Sequence, residues 1–225
     1  MILVVNCLVE ASFVRDFNRV VSRNLEALGQ RCRCLSVAEL GQAGEPQGYT
    51  HLILSGSEAS TTTDQPWDRA LAALVHRFVE ADKPILGICY GHQFLAKALA
   101  GPEHVRRAAQ PEFGWLSPRL EASPLFQGLI EPEFMVCHYD EVFDLPVDFK
   151  VLASSPRCAV HAFQYKDLPV WGVQFHPEYG PDEADPIFQV VCRPLKTPLP
   201  EPPREPSRLD QRWRIFENFL QSARA

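Results

Sequence analysis

The sequence predicts a three-layer α/β protein in which helices flank a central, mostly parallel sheet. In the first half, short apolar runs alternate with amphipathic segments of helical spacing, a pattern that pairs strands in parallel through right-handed crossovers. In the second half, strand-like runs follow one another with short connections and no obvious helix between them. That part of the sheet is therefore expected to be antiparallel or mixed.

The elements of the first half follow from hydrophobic periodicity. Strands are predicted at 2–6, 33–37, 51–55 and 84–88, and helices at 13–28 and 67–80. The first helix stops before Gly29, and a loop of small and polar residues, 56–60, follows the third strand. The run 84–88 is mostly apolar, which is typical of a parallel strand that is buried on both faces.

The second half is predicted from strand and turn chemistry. Strands are expected at 134–138, 150–154, 159–164 and 170–175. Residues 166–169 (Lys-Asp-Leu-Pro) suit a hairpin that joins the last two strands. Six prolines between Pro194 and Pro206 argue against a helix interior or central strand, so 194–208 is predicted to be an extended surface segment. A terminal helix, 209–222, is expected to dock through Trp213, Ile215, Phe216 and Phe219.

Length and composition favour a single globular domain, 1–225. The chain has 225 residues and 46% hydrophobic content, enough to bury one sizeable core. A net charge of −6 with scattered Lys and Arg residues argues against a nucleic-acid partner. The N-terminal residues lack the features of a signal peptide and no run is long enough to span a bilayer, so a soluble, cytoplasmic protein without a membrane partner is expected.

The seven cysteines, an odd number without paired spacing, indicate a reducing compartment rather than a disulfide framework. Most of them are expected to be small buried hydrophobes. Cys32 and Cys34 form a C-x-C pair on a predicted strand, but no second Cys/His pair lies at ligand spacing. We therefore expect no metal site.

The most informative segment runs from Pro84 to Gln93, where an apolar strand leads into G-x-C-x-G and then into a helical pattern. This pattern is typical of a nucleophile elbow, in which small residues two positions either side of the nucleophile allow a sharp strand-to-helix turn. Cys89 is then expected at a helix N-terminus, where the dipole and free N–H groups favour the thiolate. The competing interpretation is a buried cysteine in an ordinary turn.

The segment 172–178, G-V-Q-F-H-P-E, supplies a candidate base for that nucleophile. In an extended chain, side chains two residues apart point the same way, which places His176 and Glu178 on one side. Glu178 can then hold the imidazole in the tautomer that accepts a thiol proton. The chain has seven histidines, so the alternative for any one of them is an ordinary surface or core histidine.

Together, G-I-C-Y-G-H-Q and G-V-Q-F-H-P-E resemble the two signature segments of the class I glutamine amidotransferases, in the family's order. Residues 52–57 are similar to the family's strand and oxyanion loop, and 137–140 (Cys-His-Tyr-Asp) to its His-x-Asp segment. Residues 112–115 (Glu-Phe-Gly-Trp) resemble a segment in relatives of GMP synthetase, to whose glutaminase half this chain is similar. The resemblance covers about 2–179 and implies the family's flavodoxin-like fold.

The resemblance implies a role for each matching residue. Cys89 is the nucleophile, His176 the base and then the acid, and Glu178 the group that orients the imidazole. The backbone N–H groups of Ser57 and Tyr90 form the oxyanion hole. The residues that the resemblance places at the substrate are Gly56, Gln93, His138 and Asp140. For the last three, the alternatives are a helix-surface glutamine and a polar turn.

One loop departs from the family pattern. Many relatives have Gly-Gly-Pro where this chain has Gly56-Ser57-Glu58. A backbone donor survives a change of side chain, but Ser57 is then expected to adopt a conformation that glycine adopts freely. The geometry of this loop therefore decides whether an oxyanion hole can form.

The implied reaction is covalent: Cys89 attacks the side-chain amide carbon, His176 protonates the departing amine, and water hydrolyses a γ-glutamyl thioester. The resemblance implies glutamine or a γ-glutamyl compound as substrate and no metal or organic cofactor. If ammonia leaves, the chain is a glutaminase that supplies a synthase on another chain. If the amine of a γ-glutamyl conjugate leaves, the chain is a stand-alone peptidase or hydrolase. A non-catalytic regulatory relative is the third alternative.

Overall fold

Helices and strands alternate in the first half of the chain, and strands dominate from residue 105 to residue 173. The structure is a computed structural model that describes residues 1–196, 198–201, 208 and 210–222. The strands are β1 (Ile2–Asn6), β2 (Cys32–Ser36), β3 (Leu52–Leu54), β4 (Ile85–Ile88), β5 (Val105–Leu116), β6 (Arg119–Leu120), β7 (Phe134–Val142), β8 (Phe149–Ser154), β9 (Ala162–Tyr165) and β10 (Val170–Val173). The α-helices are α1 (Ala11–Ala27), α2 (Asp68–Glu80), α3 (Tyr90–Leu99), α4 (Pro181–Leu195) and a C-terminal helix (Trp213–Gln221). Short 3-10 helices lie at Val37–Gln42, Pro46–Gly48, Pro102–His104 and Pro124–Phe126.

Eight strands form one sheet, in the order β2-β1-β3-β4-β10-β9-β8-β6. From β2 to β10 the neighbours are parallel, and from β10 to β6 they are antiparallel. The predicted fold class is thus confirmed. The order β2-β1-β3-β4 is that of flavodoxin-like, doubly wound sheets, which carry ligands at the carboxyl ends of the parallel strands. Residues 166–169 connect the antiparallel pair β9 and β10, as expected for a hairpin.

Helices cover both faces of this sheet. Successive side chains of β1 point to opposite faces, so Ile2 and Val4 join one core layer while Leu3 and Val5 join the other. The first layer contains apolar side chains of α1, α4 and the C-terminal helix. The second layer contains those of α2 and α3. The core therefore lies on both sides of β1, β3, β4 and β10, and it holds their carboxyl ends in place.

A separate two-stranded ribbon, formed by the antiparallel pair β5 and β7, lies beside the carboxyl end of β10. Its backbone meets the segment after β10 where the His176 N–H donates to the Met135 carbonyl at 2.8 Å. In the ribbon, Glu112 is the register partner of His138. The ribbon thereby brings the residues of β5 and β7 next to the segment that follows β10.

The prediction from sequence missed β5. Exposed charged residues interrupt its apolar positions, and Pro111 lacks the N–H that a ladder needs. The register of β5 against β7 shifts between Arg107 and Glu112, so the strand has no continuous alternation of polar and apolar residues. Periodicity alone cannot find a strand that carries such a bulge.

The prediction was also wrong about the start of the extended segment 194–208. Helix α4 runs to Leu195, so Pro194 lies in its last turn, and the chain leaves the helix at Lys196 in a left-handed conformation. Prolines at 181 and 186 concealed the helix in the sequence. The buried residues on its apolar face are Ala184, Phe188 and Cys192. Burial of that face offsets the backbone hydrogen bonds that proline cannot donate.

The C-terminal helix is observed from Trp213 to Gln221 within the predicted range 209–222. Its side chains at positions 215, 216 and 219 are fully buried, as expected, and Trp213 is partly buried. Thr197, 202–207, Leu209 and 223–225 lie outside the described residues, and with them part of the predicted extended segment. No helix of the described ranges is long and apolar enough to cross a membrane.

Candidate active site

Cys89 lies at the turn between β4 and α3, as a nucleophile elbow requires. Its backbone has φ 50° and ψ −102°, a conformation that residues other than glycine rarely adopt. The Cys89 N–H donates to the Val173 carbonyl at 2.8 Å, and the Gly91 N–H donates to the Ser55 carbonyl at 3.0 Å. These bonds to β10 and to the end of β3 hold a strained backbone, a feature that concentrates at functional sites.

The two glycines of G-x-C-x-G are needed because backbones meet at the elbow. A Cβ on Gly91 would lie 2.5 Å from the Leu54 carbonyl oxygen and 2.7 Å from the Leu54 Cβ. A Cβ on Gly87 would collide with the backbone of Gly91 itself. Only glycine allows α3 to begin this close to β3 and β4, and this closeness places Cys89 above the sheet edge.

Replacing Gly91 with alanine is expected to destabilise the protein by about 3 kcal/mol, the upper end of the cost of overpacking, because the added methyl group meets backbone atoms of β3 that cannot rotate away. The measurement is the unfolding free energy from urea titration. Gly41→Ala is the matched control, since a Cβ there meets no atom within 4 Å. Equal stability of the two variants would contradict the proposed close approach.

His176 and Glu178 lie just beyond β10, next to Cys89. The His176 Nδ1–H donates to Oε1 of Glu178 at 2.8 Å. Because a carboxylate only accepts, Nδ1 carries a proton and Nε2 is left for other partners, and Cys89 lies close enough to the imidazole to raise its pKa. Asn24 of α1 fixes the segment by donating to the Glu178 carbonyl at 3.0 Å. The structure brings the three predicted triad residues together in the order that proton transfer needs.

The charge on His176 is governed by two opposing effects. Burial disfavours the imidazolium, but the Glu178 carboxylate and Cys89 outweigh it and raise the pKa of His176 to about 10. Glu178 is itself buried, with 1% of its surface exposed, so little solvent screens its attraction for the imidazolium. At neutral pH the site therefore favours an imidazolium next to Cys89, the arrangement that stabilises a thiolate.

Stability is expected to fall between pH 6.5 and about 10. A histidine with an ordinary pKa of 6.5 in the unfolded chain loses its proton across this range, whereas the native protein retains it until pH approaches the raised pKa of His176. The stabilisation is complete below pH 6.5 and is lost as pH rises through about 10, with a slope of up to about 1.4 kcal/mol per pH unit.

Urea unfolding at several pH values tests this dependence. The decline above pH 6.5 is expected to be steeper in the wild type than in Glu178→Gln, which lacks the negative charge. Glu80→Gln, a change at an exposed carboxylate of α2, is the control and is expected to follow the wild-type curve. Parallel curves for the wild type and Glu178→Gln would show that Glu178 does not raise the pKa of His176.

The loop that follows β3 lies against the side chains of His176 and Cys89. A Cβ on Gly56 would lie 3.0 Å from Cε1 of His176 and 3.6 Å from the Cβ of Cys89, so this glycine allows the loop to touch both side chains. Ser57 is not among the described residues with positive φ, and the expectation that it must adopt a glycine conformation is wrong. Within the described residues, the N–H groups of Ser57 and Tyr90 donate to no protein acceptor. Both remain available for an oxyanion.

Gln93 and Asp140 lie close together but are engaged within the protein. Gln93 is buried in α3, where its Nε2 donates to the Asp140 carbonyl at 2.9 Å and to Oε1 of Gln174 at 3.1 Å. Its Oε1 accepts from the Thr61 hydroxyl at 3.1 Å. The Asp140 carboxylate accepts from Arg107 at 3.3 Å. The alternatives of a helix-surface glutamine and a polar turn are therefore wrong, and both residues fix the walls around the triad.

His138 is also buried, and it points into a polar cluster. Its Nδ1 bonds the Asp140 carbonyl at 3.0 Å, and its Nε2 lies 3.0 Å from Oε2 of Glu112. The same carboxylate oxygen lies 2.7 Å from Nε2 of His161. Prediction from sequence found His138 and quoted Glu112 only as part of a resemblance, and it missed His161, which no local pattern marks.

Comparison with known proteins agrees with this geometry. The profile of the family "Glutamine amidotransferase class-I" matches residues 13–191, a range that includes the elbow and all three triad residues. The chain belongs to the class-I glutamine amidotransferase family. This is a family of enzymes, so a catalytic role for the elbow is the natural interpretation of its geometry.

Curated relatives of this amidotransferase are named as subunits of glutamine-hydrolyzing GMP synthase. The protein of Pyrococcus abyssi is 40% identical over 112 residues, 49% of this chain and 58% of that relative, so the match spans somewhat more than half of the relative's length. The protein of Pyrococcus furiosus is 35% identical over 160 residues, 68% of this chain and 80% of the relative. A solved glutamine amidotransferase of Thermotoga maritima shares the fold, with a TM-score of 0.77 at 20% identity over 99% of both chains.

The departure from Gly-Gly-Pro in this amidotransferase is compensated by side-chain hydrogen bonds. The Ser57 hydroxyl donates to the Cys7 carbonyl at 2.7 Å and accepts from the Ala59 N–H at 3.0 Å. The Glu58 carboxylate accepts from the Val9 N–H at 3.0 Å and also from the N–H of the next residue. The loop is thus fixed to the connection between β1 and α1, and it does not need proline to restrict its backbone.

Proposed function

We propose that this chain hydrolyses the side-chain amide of glutamine through a γ-glutamyl thioester on Cys89 and releases ammonia for a synthase on a separate chain. The observation that carries the proposal is the position of the His176 imidazole, which donates through Nδ1 to Glu178 and lies close enough to Cys89 for that residue to raise its pKa. A thiol, a base and an orienting carboxylate in this order form the constellation of nucleophilic acyl transfer.

The first half of the reaction forms the thioester. The Cys89 thiolate attacks the amide carbon, and the negative charge that develops on the amide oxygen is stabilised by the N–H groups of Tyr90 and Ser57. The His176 imidazolium gives its proton to the amide nitrogen, the carbon–nitrogen bond breaks and ammonia leaves. Glu178 stabilises the charged imidazole before this transfer and keeps it oriented afterwards.

The second half regenerates the enzyme. The neutral His176 removes a proton from a water molecule that attacks the thioester carbon, and the same N–H groups stabilise the second oxyanion. The carbon–sulfur bond breaks, glutamate leaves, and the Cys89 thiolate and His176 imidazolium are restored. No step requires a residue outside the triad and the two backbone donors.

The proposal of a separate synthase rests on the relatives. Those from the two Pyrococcus species are each named as one subunit of glutamine-hydrolyzing GMP synthase, and the chain aligns with up to 80% of such a relative's length. A glutaminase of this kind passes its ammonia to another polypeptide. We therefore expect modest hydrolysis of glutamine by the isolated chain and faster hydrolysis when the synthase chain is present.

A substrate comparison tests the proposal. The purified chain is incubated with glutamine or with γ-glutamyl dipeptides, and hydroxylamine is added to capture the acyl group as γ-glutamyl hydroxamate, which only an activated acyl intermediate produces. Hydroxamate from glutamine supports the proposal. Turnover of dipeptides but not glutamine would indicate a γ-glutamyl peptidase, and turnover no greater than that of Cys89→Ala would indicate a regulatory relative.

A further inference from the structure

Four buried side chains outside the triad and its two backbone donors converge where the ribbon meets the main sheet. They are Glu112, His138, Cys158 and His161. Their ligand atoms, one carboxylate oxygen, two ring nitrogens and one sulfur, all lie within 4.8 Å of one another. None of the four side chains is on the surface. Such a mixed set of nitrogen, sulfur and oxygen donors is what zinc ions bind in proteins.

The hydrogen bond of His138 Nδ1 determines whether the other ring nitrogen, Nε2, can act as a metal ligand. A carbonyl oxygen cannot donate, so the bond to the Asp140 carbonyl places a proton on Nδ1 of His138. In the neutral ring, Nε2 then carries a lone pair, and it points at Oε2 of Glu112 from 3.0 Å. Two lone pairs at this distance repel, so a proton or a metal cation must lie between them.

This arrangement is the one that metal-binding histidines show. A histidine that ligates a metal nearly always donates its other ring N–H to a carbonyl or carboxylate, which fixes the tautomer. The Glu112 carboxylate is oriented too, because the Ser155 hydroxyl donates to its Oε1 at 2.7 Å and leaves Oε2 for the cluster. His138 and Glu112 therefore each have a hydrogen bond that would orient them as metal ligands.

We propose that Glu112, His138, Cys158 and His161 form a closed, structural zinc site. In tetrahedral zinc the ligands lie about 2.0–2.3 Å from the metal and hence roughly 3.4 Å from one another. The nitrogen–oxygen separations of 2.7 and 3.0 Å are shorter, so the ligands must move apart by about half an ångström on binding. The burial of all four residues matches a structural site, which keeps no open position for water.

Charge also balances at this site. A Zn²⁺ ion with one thiolate, one carboxylate and two neutral imidazoles is electrically neutral, as burial demands. Zinc binds cysteine as the thiolate, so metal binding is expected to release protons, which a weakly buffered titration can detect.

The site would fasten the ribbon to the main sheet. Glu112 and His138 belong to β5 and β7, whereas Cys158 and His161 precede β9. The residue next to His138 is Cys137, whose carbonyl lies 3.7 Å from the Cys89 sulfur. A metal here would fix the wall of the active site without contacting the substrate, so its presence is detectable independently of any catalytic activity.

Zinc content and cobalt spectroscopy of the full chain test the proposal. The chain, purified without a histidine tag, is expected to hold one zinc ion after gel filtration, and its cobalt form is expected to show a thiolate-to-cobalt charge-transfer band. Cys158→Ala is expected to weaken zinc binding by more than about 100-fold, beyond the 10- to 100-fold that loss of an outer contact costs. His161→Gln is a second ligand variant in case the first does not fold.

Two controls separate this site from other thiols. Cys34→Ala disrupts the Cys32–Cys34 pair, whose sulfurs lie 4.0 Å apart, and Cys89→Ala removes the active-site thiol. Both are expected to keep their zinc. Wild-type protein that binds no zinc at micromolar concentrations, or a site lost in either control, would overturn the proposal. So would a cobalt form without the thiolate band, and the cluster would then be held by hydrogen bonds alone.

Discussion

Replacing Cys89 with alanine is expected to reduce glutamine hydrolysis by at least about 10⁴-fold, because no other thiol can form the acyl intermediate. Cys89 is the cysteine that combines a strained elbow backbone, a helix N-terminus and a neighbouring imidazole whose pKa it raises. The measurement is kcat for glutamine, together with the yield of hydroxamate in the presence of hydroxylamine. The variant is expected to fold normally, since alanine leaves the backbone bonds of the elbow intact.

Cys137→Ala is the matched control for this variant. Cys137 lies beside the active site, but the group that faces the Cys89 sulfur is its backbone carbonyl, which alanine retains. Burial raises the pKa of the Cys137 thiol, which keeps it protonated and unreactive. A glutamine-like diazo-ketone is therefore expected to label the wild type and Cys137→Ala equally and Cys89→Ala not at all. Labelling spread over several cysteines would contradict the activation of Cys89.

Replacing His176 with alanine is expected to cost nearly as much as the loss of the nucleophile, because the imidazole both stabilises the thiolate and supplies the proton to the departing nitrogen. Glu178→Gln is expected to cost about one to two orders of magnitude less. The glutamine side chain can still accept the Nδ1–H bond that orients the ring, but it lacks the charge that raises the pKa of His176.

The comparison of kcat values for these two variants tests the order of the triad. Asn24→Ala serves as a control of position, since Asn24 holds the same segment through the Glu178 carbonyl and does not touch the imidazole. A smaller effect is expected for this control than for either triad variant. If Glu178→Gln lost more activity than His176→Ala, Glu178 would act in the chemistry itself and the proposed roles would be wrong.

The sequence predicted the elbow and the pair His176 and Glu178 because both depend on short-range geometry. In G-x-C-x-G, the two glycines and the cysteine lie within five residues, and the backbone contacts that require them involve the adjacent strands. His176 and Glu178 are two residues apart, and their hydrogen bond spans this spacing. Periodicity also found the parallel strands and α1 and α2, whose apolar faces are regular.

Other features escaped prediction because they depend on contacts between distant segments. The bulged register of β5 and the prolines of α4 removed the regular pattern from which a strand or helix is recognised. The amide of Gln93, which the resemblance places at the substrate, bonds the distant residues Asp140, Gln174 and Thr61, and no local pattern marks these contacts. The side-chain bonds of Ser57 and Glu58 fix the loop that departs from the Gly-Gly-Pro of many relatives, and they too join distant segments.

By itself the sequence determined the α/β class. It also predicted Cys89 as the nucleophile with His176 and Glu178 as its base and orienting group, because local spacing, backbone sterics and the family resemblance point to these residues. The tertiary structure alone decided that β10 lies beside β4, which brings His176 to Cys89. It alone also gathered Glu112, His138, Cys158 and His161 from segments up to 49 residues apart. These contacts form only when the sheet and the ribbon pack together, and no local sequence pattern predicts which distant side chains will share a site.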